Sequence, residues 1–250
     1  MAAHYWHGVL GATGPLLIEP KPQEPSKHQY DWDVATTAGF LREFNLHEKF
    51  RLNVECNHAT LAGHSCAHEI ETAVAMGMLG GLDANTGDPQ VGWDTDQFMT
   101  DAREAAQVLL PIVRGGGANG GAGLAQGGIN FDAKLRRESV DVEDLLHGHI
   151  GGMDAMARGL KAAAALADPD GPLERLRSDR YASWRSDIGR RIEAGAATLE
   201  ELEALALSDP TTTRTIISRD HDDDHNSDAP LRAISGKQEA AENILARAVH

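Results

Sequence analysis

The sequence predicts an α/β protein of the (β/α)-barrel type, followed by a region made only of helices. Short apolar runs alternate with helical patterns four times before residue 140, and only helical patterns follow. Strands that alternate with helices form parallel βαβ units. Each apolar run also ends in a carboxylate, and the chemistry of a (β/α) barrel lies at the carboxyl ends of its strands. We therefore expect a functional site built from these acids.

Local patterns place the strands and the first helix. Strands are expected at residues 15–19, 51–55, 82–84 and 128–132. Pro20 and Pro22 exclude a helix directly after the first strand. Asp31 or Asp33 is expected to cap a helix that reaches about Leu46. The residues predicted for the inner face of that helix are Ala35, Phe40, Leu41 and Phe44.

Two more helices complete the alternation. Ser65 is expected to begin a helix that runs to about Leu79 and closes at Gly80 and Gly81. Another helix is expected after Asp96, ending near Val113. The glycine-rich residues 115–128 are typical of a loop.

The second part of the chain reads as helical. A long helix is predicted from Asp141 to about Ala167, and Thr198 with Glu201 forms the pattern of a capping box. Residues 220–226 are predicted to be a solvated acidic loop, and residues 238–249 a closing helix. We expect residues 1–150 to carry the site and residues 151–250 to form a helical oligomerisation tail.

Composition narrows the class of protein. The chain has 250 residues, of which 41% are apolar, so it can bury a sizeable core. Its formal net charge of −15 argues against nucleic acid as a partner, because phosphate binding needs stripes of Lys and Arg. We see no signal peptide, and no apolar run of about 18 residues that could span a membrane. Cys56 and Cys66 show no disulfide framework, so a reducing, cytoplasmic location is expected.

The acids suggest a site for two divalent cations. Hard cations prefer oxygen ligands, which four strand-end carboxylates could supply to one ion. A second ion could be held by two acids in one extended segment, together with a histidine and a strand-end carboxylate shared with the first ion. Two ions bridged in this way can polarise the oxygens of a substrate. The first set is Glu19, Glu55, Asp83 and Asp132; the second is Glu55, His58, Asp94 and Asp96.

Simpler readings of these residues stay open. A single Asp at the end of a strand is usually a cap or turn residue. A zinc site could be assembled from Cys56, His58, His64, Cys66 and His68, but their spacing lacks the usual paired Cys-x-x-Cys pattern. We expect His64 and His68 to be local hydrogen-bonding groups, and Cys66 to lie on an inner helix face.

Several blocks of the sequence resemble motifs of the xylose isomerase family, of the longer class II type. In the family's order they are residues 17–31, 55–64, 83–85, 92–98 and 128–134, with further similarity at 148–151 and 235–239. The resemblance implies the last four β/α units of the family's TIM barrel, which is a half barrel. It also implies that the helical tail wraps a neighbouring subunit in a homotetramer, and that the histidine that opens the sugar ring is missing here.

The resemblance also implies a mechanism and roles for residues. The two carboxylate sets would bind two cations, with Mg²⁺ expected and Mn²⁺ or Co²⁺ as substitutes. The open-chain aldose, xylose or possibly glucose, would undergo a 1,2-hydride shift to the ketose. Lys21 would donate a hydrogen bond to the carbonyl oxygen, and Asp96 would take the proton from O2. We expect the chain alone to bind metal poorly and to isomerise xylose weakly or not at all.

Two other classes of function remain as alternatives. The chain could be a non-catalytic metal-binding fragment or assembly module of the same fold; as an isomerase, it would instead need a complementing N-terminal half or a homo-oligomer. A two-metal hydrolase on a related barrel, such as an abasic-site nuclease, is a weaker alternative. The acidic charge and the context of Lys21 argue against the nuclease.

Overall fold

The computed structural model describes residues 4–115, 124, 127–135, 139–208 and 238–249. The chain forms two compact units, residues 1–167 with 245–250 and residues 168–244. The polar run at 220–226 lies outside the described residues, as does most of the glycine-rich stretch at 115–128. Within the described residues, no helix is both long and apolar enough to cross a membrane.

A parallel four-stranded sheet forms the centre of the first unit. Its strands are β1 (Leu16–Ile18), β2 (Phe50–Glu55), β3 (Leu79–Asp83) and β6 (Ile129–Asn130), in the order β1-β2-β3-β6. A separate antiparallel pair joins β4 (Asn85–Thr86) to β5 (Gln97–Phe98). The sequence predicts the four parallel strands but not this small pair.

Helices cover the sheet and one another. Helices α1 and α3 pack against β2, α4 packs on α3, and α5 packs on α4. These and the remaining helices are α1 (Val34–Glu43), α2 (Cys56–Leu61), α3 (Cys66–Ala75), α4 (Ala102–Gly115), α5 (Val142–Leu166), α6 (Pro172–Arg180), α7 (Asp187–Glu193), α8 (Leu199–Ser208) and α9 (Gln238–Ala248). The α/β architecture with a parallel sheet is therefore confirmed, and the helical character after residue 140 holds throughout the described part.

The predicted inner face of α1 is wrong except at Leu41. Its buried side chains are Val34, Thr37, Ala38 and Leu41, which follow the spacing of a helical stripe. Phe40 and Phe44 lie on the outer side, where their ring centroids are 4.7 Å apart. The two phenylalanines misplace the predicted inner face of the helix, because two exposed phenyl rings can cover each other instead of being buried in the core.

The predicted end of α3 is also wrong. The helix ends at Ala75, and Gly77 takes a left-handed φ of +67° that reverses the chain. Leu79, Gly80 and Gly81 then belong to the buried strand β3. Gly81 suits this strand because an added Cβ would lie 2.2 Å from Oδ1 of Asn53 on β2. These glycines allow close strand packing rather than closing a helix.

The expectation of unpaired cysteines is wrong as well. Cys56 at the start of α2 and Cys66 at the start of α3 form a disulfide, with their Cα atoms 4.6 Å apart. Both side chains are buried, as predicted for Cys66. The pairing removes both thiolates from the alternative zinc site.

The second unit contains the predicted capping box. The Thr198 hydroxyl accepts a hydrogen bond from the backbone N–H of Glu201, and a Glu201 carboxylate oxygen accepts one from the N–H of Thr198. This reciprocal pair satisfies two backbone donors at the start of α8. A side-chain bond from Arg191 to Glu201, 2.8 Å long, joins α7 to the same turn.

Candidate metal centre

Four predicted acids meet at the carboxyl edge of the sheet. Glu19 directly follows β1, Glu55 ends β2, Asp83 ends β3, and Asp132 lies two residues beyond β6. Glu55 and Asp83 are register partners in neighbouring strands, so parallel pairing itself places them side by side. One carboxylate oxygen from each of the four lies within 4.8 Å of the others.

A second group shares Glu55 with the first. Ligand atoms of Glu55, Asp94 and Asp96 also lie within 4.8 Å of one another, and all three side chains are buried. The segment bearing Asp94 and Asp96 is not fully extended as predicted, because Asp96 has a left-handed φ of +47°. The two carboxylates converge nonetheless, through a turn rather than through strand alternation.

His58 lies between the two groups. Its Nδ1 is 3.1 Å from the Pro20 carbonyl oxygen, which can only accept, so the ring proton belongs on Nδ1. Nε2 then carries the lone pair, and it lies 3.1 Å from Glu55 Oε2 and 3.2 Å from Asp94 Oδ2. A backbone carbonyl that fixes the tautomer in this way is typical of metal-binding histidines.

Asparagine side chains hold the carboxylates from behind. Asn53 donates to Glu19 Oε2 at 3.1 Å and to Asp83 Oδ2 at 2.7 Å. Asn130 donates to Asp83 Oδ1 at 3.1 Å. Each bond fixes the direction of an acid without adding charge. Sequence reasoning missed this layer, although asparagines recur one or two residues from the predicted ligands in the sequence.

Two further asparagines support the shared carboxylate and its neighbour. Asn85 is fully buried and donates to Glu55 Oε1 at 2.7 Å, while its own Oδ1 accepts from the backbone N–H of Asn57 at 2.9 Å. The Asn57 side chain donates to Asp94 Oδ1 at 2.6 Å. Gly87 leaves room for it, because an added Cβ there would lie 1.5 Å from Asn57 Oδ1.

Two lysines border the site. Lys21 Nζ donates to Asp94 Oδ2 at 2.7 Å and lies 3.7 Å from Glu24 Oε2. Lys134 Nζ donates to Asp96 Oδ2, and the backbone N–H of Lys134 donates to the Asp96 carbonyl at 2.8 Å. The predicted Lys21 therefore lies beside the acids, and Lys134 is a second cation that sequence reasoning missed.

The electrostatics show crowded negative charge. Burial, with hydrogen bonding to Glu19, raises the pKa of Glu55 to about 10. Burial also raises the pKa of Asp83, and burial with the neighbouring Asp94 raises that of Asp96. Burial would raise the pKa of Asp94 too, but the neighbouring His58, Asp96 and Lys21 outweigh it and lower that pKa. Near neutral pH Glu55 therefore holds a proton that a bound cation would displace.

The residues fit a divalent cation. Asp96 Oδ1 is buried and has no hydrogen-bond partner within the described part of the chain. His58 Nε2 also points at the carboxylate oxygens of Glu55 and Asp94. A bound cation would give these facing ligand atoms a positively charged partner. Carboxylate oxygens with one imidazole suit Mg²⁺, Mn²⁺ or Co²⁺ better than softer ions. Fold and site thus define a class, namely α/β proteins with an acidic cluster that could hold a metal at the carboxyl edge of a parallel sheet.

Comparison with known proteins narrows this class. Residues 177–218 match the family model of the XylA2 C-terminal domain. Xylose isomerase of Arabidopsis thaliana is 58% identical over 205 residues, which is 82% of this chain and 42% of that protein. The Hordeum vulgare and Photorhabdus laumondii xylose isomerases are 52% and 46% identical, each over 96% of this chain and 45% or 49% of their own lengths.

Over 82–96% of its length the chain is therefore similar to xylose isomerases, as its sequence motifs predict. It spans less than half the length of these relatives. The match to the Hordeum vulgare relative extends over 96% of this chain.

Proposed function

We propose that this chain supplies the metal centre of an aldose–ketose isomerase, which interconverts D-xylose and D-xylulose by a metal-assisted 1,2-hydride shift. One observation carries the proposal: the predicted ligand side chains meet at one sheet edge, with Lys21 bound to one of them. The relatives named xylose isomerase support the choice of reaction. Glucose is a second aldose that such a centre could accept.

We assign two cations to the centre, with Mg²⁺ as the expected ion and Mn²⁺ or Co²⁺ as substitutes. When bound, they would hold and polarise the oxygens of the open-chain sugar. Glu55 would contribute to both, because it belongs to both ligand groups. The proposed sets are Glu19, Glu55, Asp83 and Asp132 for one cation, and Glu55, His58, Asp94 and Asp96 for the other.

Lys21 is proposed to stabilise negative charge on the substrate. Partial burial favours its neutral form, but the hydrogen bond to Asp94 dominates and raises the pKa of Lys21. The side chain therefore stays an ammonium group that can donate to the sugar's carbonyl oxygen as charge develops there. Asp94 holds it at the rim of the metal centre until substrate arrives.

Asp96 is proposed to take the proton from O2 of the sugar. The pKa of Asp96 is raised and so lies closer to neutral pH than that of an ordinary aspartate. This suits a group that accepts and returns a proton. Lys134 binds Oδ2 and so fixes the carboxylate, which leaves Oδ1 as the atom available to the proton.

We also propose a half barrel, with a site-bearing region at 1–150 and a helical oligomerisation tail at 151–250. The parallel order β1-β2-β3-β6 supports it, as do Leu17 and Ile129 on the two edge strands, each 47% exposed. Complementary strands and a tetrameric assembly would cover such edges. The cytoplasmic location stays a prediction, and the Cys56–Cys66 disulfide weakens its basis in reduced thiols.

A coupled xylose-to-xylulose assay tests the proposal. We expect little or no turnover by the chain alone, and Mg²⁺-dependent turnover when the remaining part of the Arabidopsis thaliana relative is added as a separate polypeptide. Metal binding without restored turnover would instead support the alternative of a non-catalytic metal-binding module. Family-like turnover by the chain alone would show that the half barrel is functionally complete.

A further inference from the structure

A second cluster of ligand atoms lies outside the carboxylate centre. His64, His68 and Glu69 each offer one ligand atom, and these three atoms lie within 4.8 Å of one another. His64 Nδ1 is 2.6 Å from Glu69 Oε1, and His68 Nε2 is 4.0 Å from the same oxygen. None of the three is among the ligands proposed for the isomerase centre.

The carboxylate at the base of this cluster is held in place. Glu69 is 3% exposed, and its Oε2 accepts a 2.7 Å hydrogen bond from the backbone N–H of Val34, the first residue of α1. Oε1 is thereby directed at the two imidazoles. A buried carboxylate that is fixed on one oxygen and faces two histidines with the other is an ordered ligand, not a mobile surface acid.

The two imidazoles lie side by side and are accessible from solvent. His64 precedes the Ser65 cap and His68 lies in the first turn of α3, which places their ring centroids 4.8 Å apart. The His64 side chain is 32% exposed and that of His68 is 59% exposed, so an ion can reach the cluster from solvent. Asp33 Oδ2 lies 4.0 Å from His64 Nδ1 and could provide a fourth ligand, since Oδ1 is occupied in capping α1.

We propose that His64, His68 and Glu69 form a binding site for a divalent transition-metal ion, with Zn²⁺ as the representative ion. Two imidazoles and one carboxylate are a recognised zinc ligand set, whereas Mg²⁺ prefers an all-oxygen shell. The chemistry of the two centres therefore differs, and excess Mg²⁺ should occupy the carboxylate centre without competing here. The bound ion would tie the start of α3 to the start of α1 through Glu69.

Equilibrium dialysis of the full chain with Zn²⁺ in a large excess of Mg²⁺ tests this proposal. We expect one retained Zn²⁺ per chain, and at least about a tenfold weaker affinity in the His64→Gln and His68→Gln variants, because even outer-shell changes at metal sites cost 10–100-fold. His147→Gln replaces an exposed histidine on α5 and should bind Zn²⁺ like the unaltered chain. His68 is exposed, so its variant should keep its far-UV circular dichroism spectrum.

X-ray absorption spectroscopy of the zinc-loaded chain separates the two centres. Two imidazole nitrogens at about 2.0 Å identify the proposed site, because the carboxylate centre contains only one histidine ligand. The proposal is overturned if all four proteins retain Zn²⁺ equally, if excess Mg²⁺ displaces all the zinc, or if the spectrum shows a single imidazole. None of these results bears on xylose turnover, so failure here is distinct from failure of the isomerase proposal.

Discussion

Replacing Asn85 with alanine is expected to destabilise the chain strongly, although Asn85 is not itself a proposed ligand. Its side chain makes three hydrogen bonds: two buried ones, to Glu55 Oε1 at 2.7 Å and from the Asn57 N–H at 2.9 Å, and a partly buried one to the Asp132 carbonyl at 3.1 Å. At about 1 kcal/mol each, their loss lowers the free energy of unfolding by about 3 kcal/mol. That is a large fraction of the roughly 5–15 kcal/mol that stabilises a typical domain.

Urea unfolding followed by far-UV circular dichroism measures this effect. Gln107→Ala is the control, because Gln107 is an exposed amide on α4 and its replacement should change stability by less than about 0.5 kcal/mol. Asn85→Asp keeps the acceptor for Asn57, but above neutral pH it buries a carboxylate that cannot donate to Glu55 Oε1 or to the Asp132 carbonyl, so it should destabilise at least as much as alanine. A loss below about 1 kcal/mol in Asn85→Ala would refute the role assigned to these hydrogen bonds.

Three further outcomes are expected. Cys66→Ala should lower the free energy of unfolding by about 3 kcal/mol, because it opens a covalent loop of sequence separation 10. The control Ser65→Ala removes the neighbouring helix cap and should lower it by only about 1 kcal/mol. Equal losses in the two variants would contradict a stabilising role of the disulfide. The metal-free chain should lose stability as pH rises from about 4.5 towards about 10, because the folded state holds the Glu55 proton more tightly than the unfolded chain. The slope should be clearly smaller in Glu55→Gln, which retains only the raised pKa values of Asp83 and Asp96. Mg²⁺ affinity, measured by calorimetry in buffers of different ionisation enthalpy, should rise with pH and release protons; pH-independent binding without proton release would show that Glu55 is not a ligand.

The sequence was most informative about features that follow from backbone periodicity, namely the parallel sheet and the acids at its edge. Alternating strands and helices predict a parallel sheet, and parallel pairing then brings acids such as Glu55 and Asp83 together without further assumptions. The capping box at Thr198 was equally local and is confirmed. Features that depend on a few neighbouring residues, or on the geometry common to all parallel sheets, are readable in this way.

Features that depend on packing were not readable. The phase of α1 was mistaken because Phe40 and Phe44 are apolar yet face outward. The Cys56–Cys66 pair depends on how closely the starts of α2 and α3 approach, which no spacing rule gives. The second cluster needed Glu69, whose burial and fixed orientation emerge only from the contact between α3 and the start of α1.

A complementation assay that compares the unaltered chain with its Glu55→Gln variant tests the proposed metal centre and its reaction together. The chain and its Glu55→Gln variant are each mixed with a polypeptide that supplies the remaining part of a related isomerase, and xylulose formation is followed with Mg²⁺ present. We predict turnover with the unaltered chain, its removal by a chelator, and a loss of at least about a hundredfold with Glu55→Gln, which equals about 2.7 kcal/mol of transition-state stabilisation. Turnover that survives Glu55→Gln, or that does not require a divalent cation, would contradict the assignment of Glu55 as the carboxylate shared by two ions.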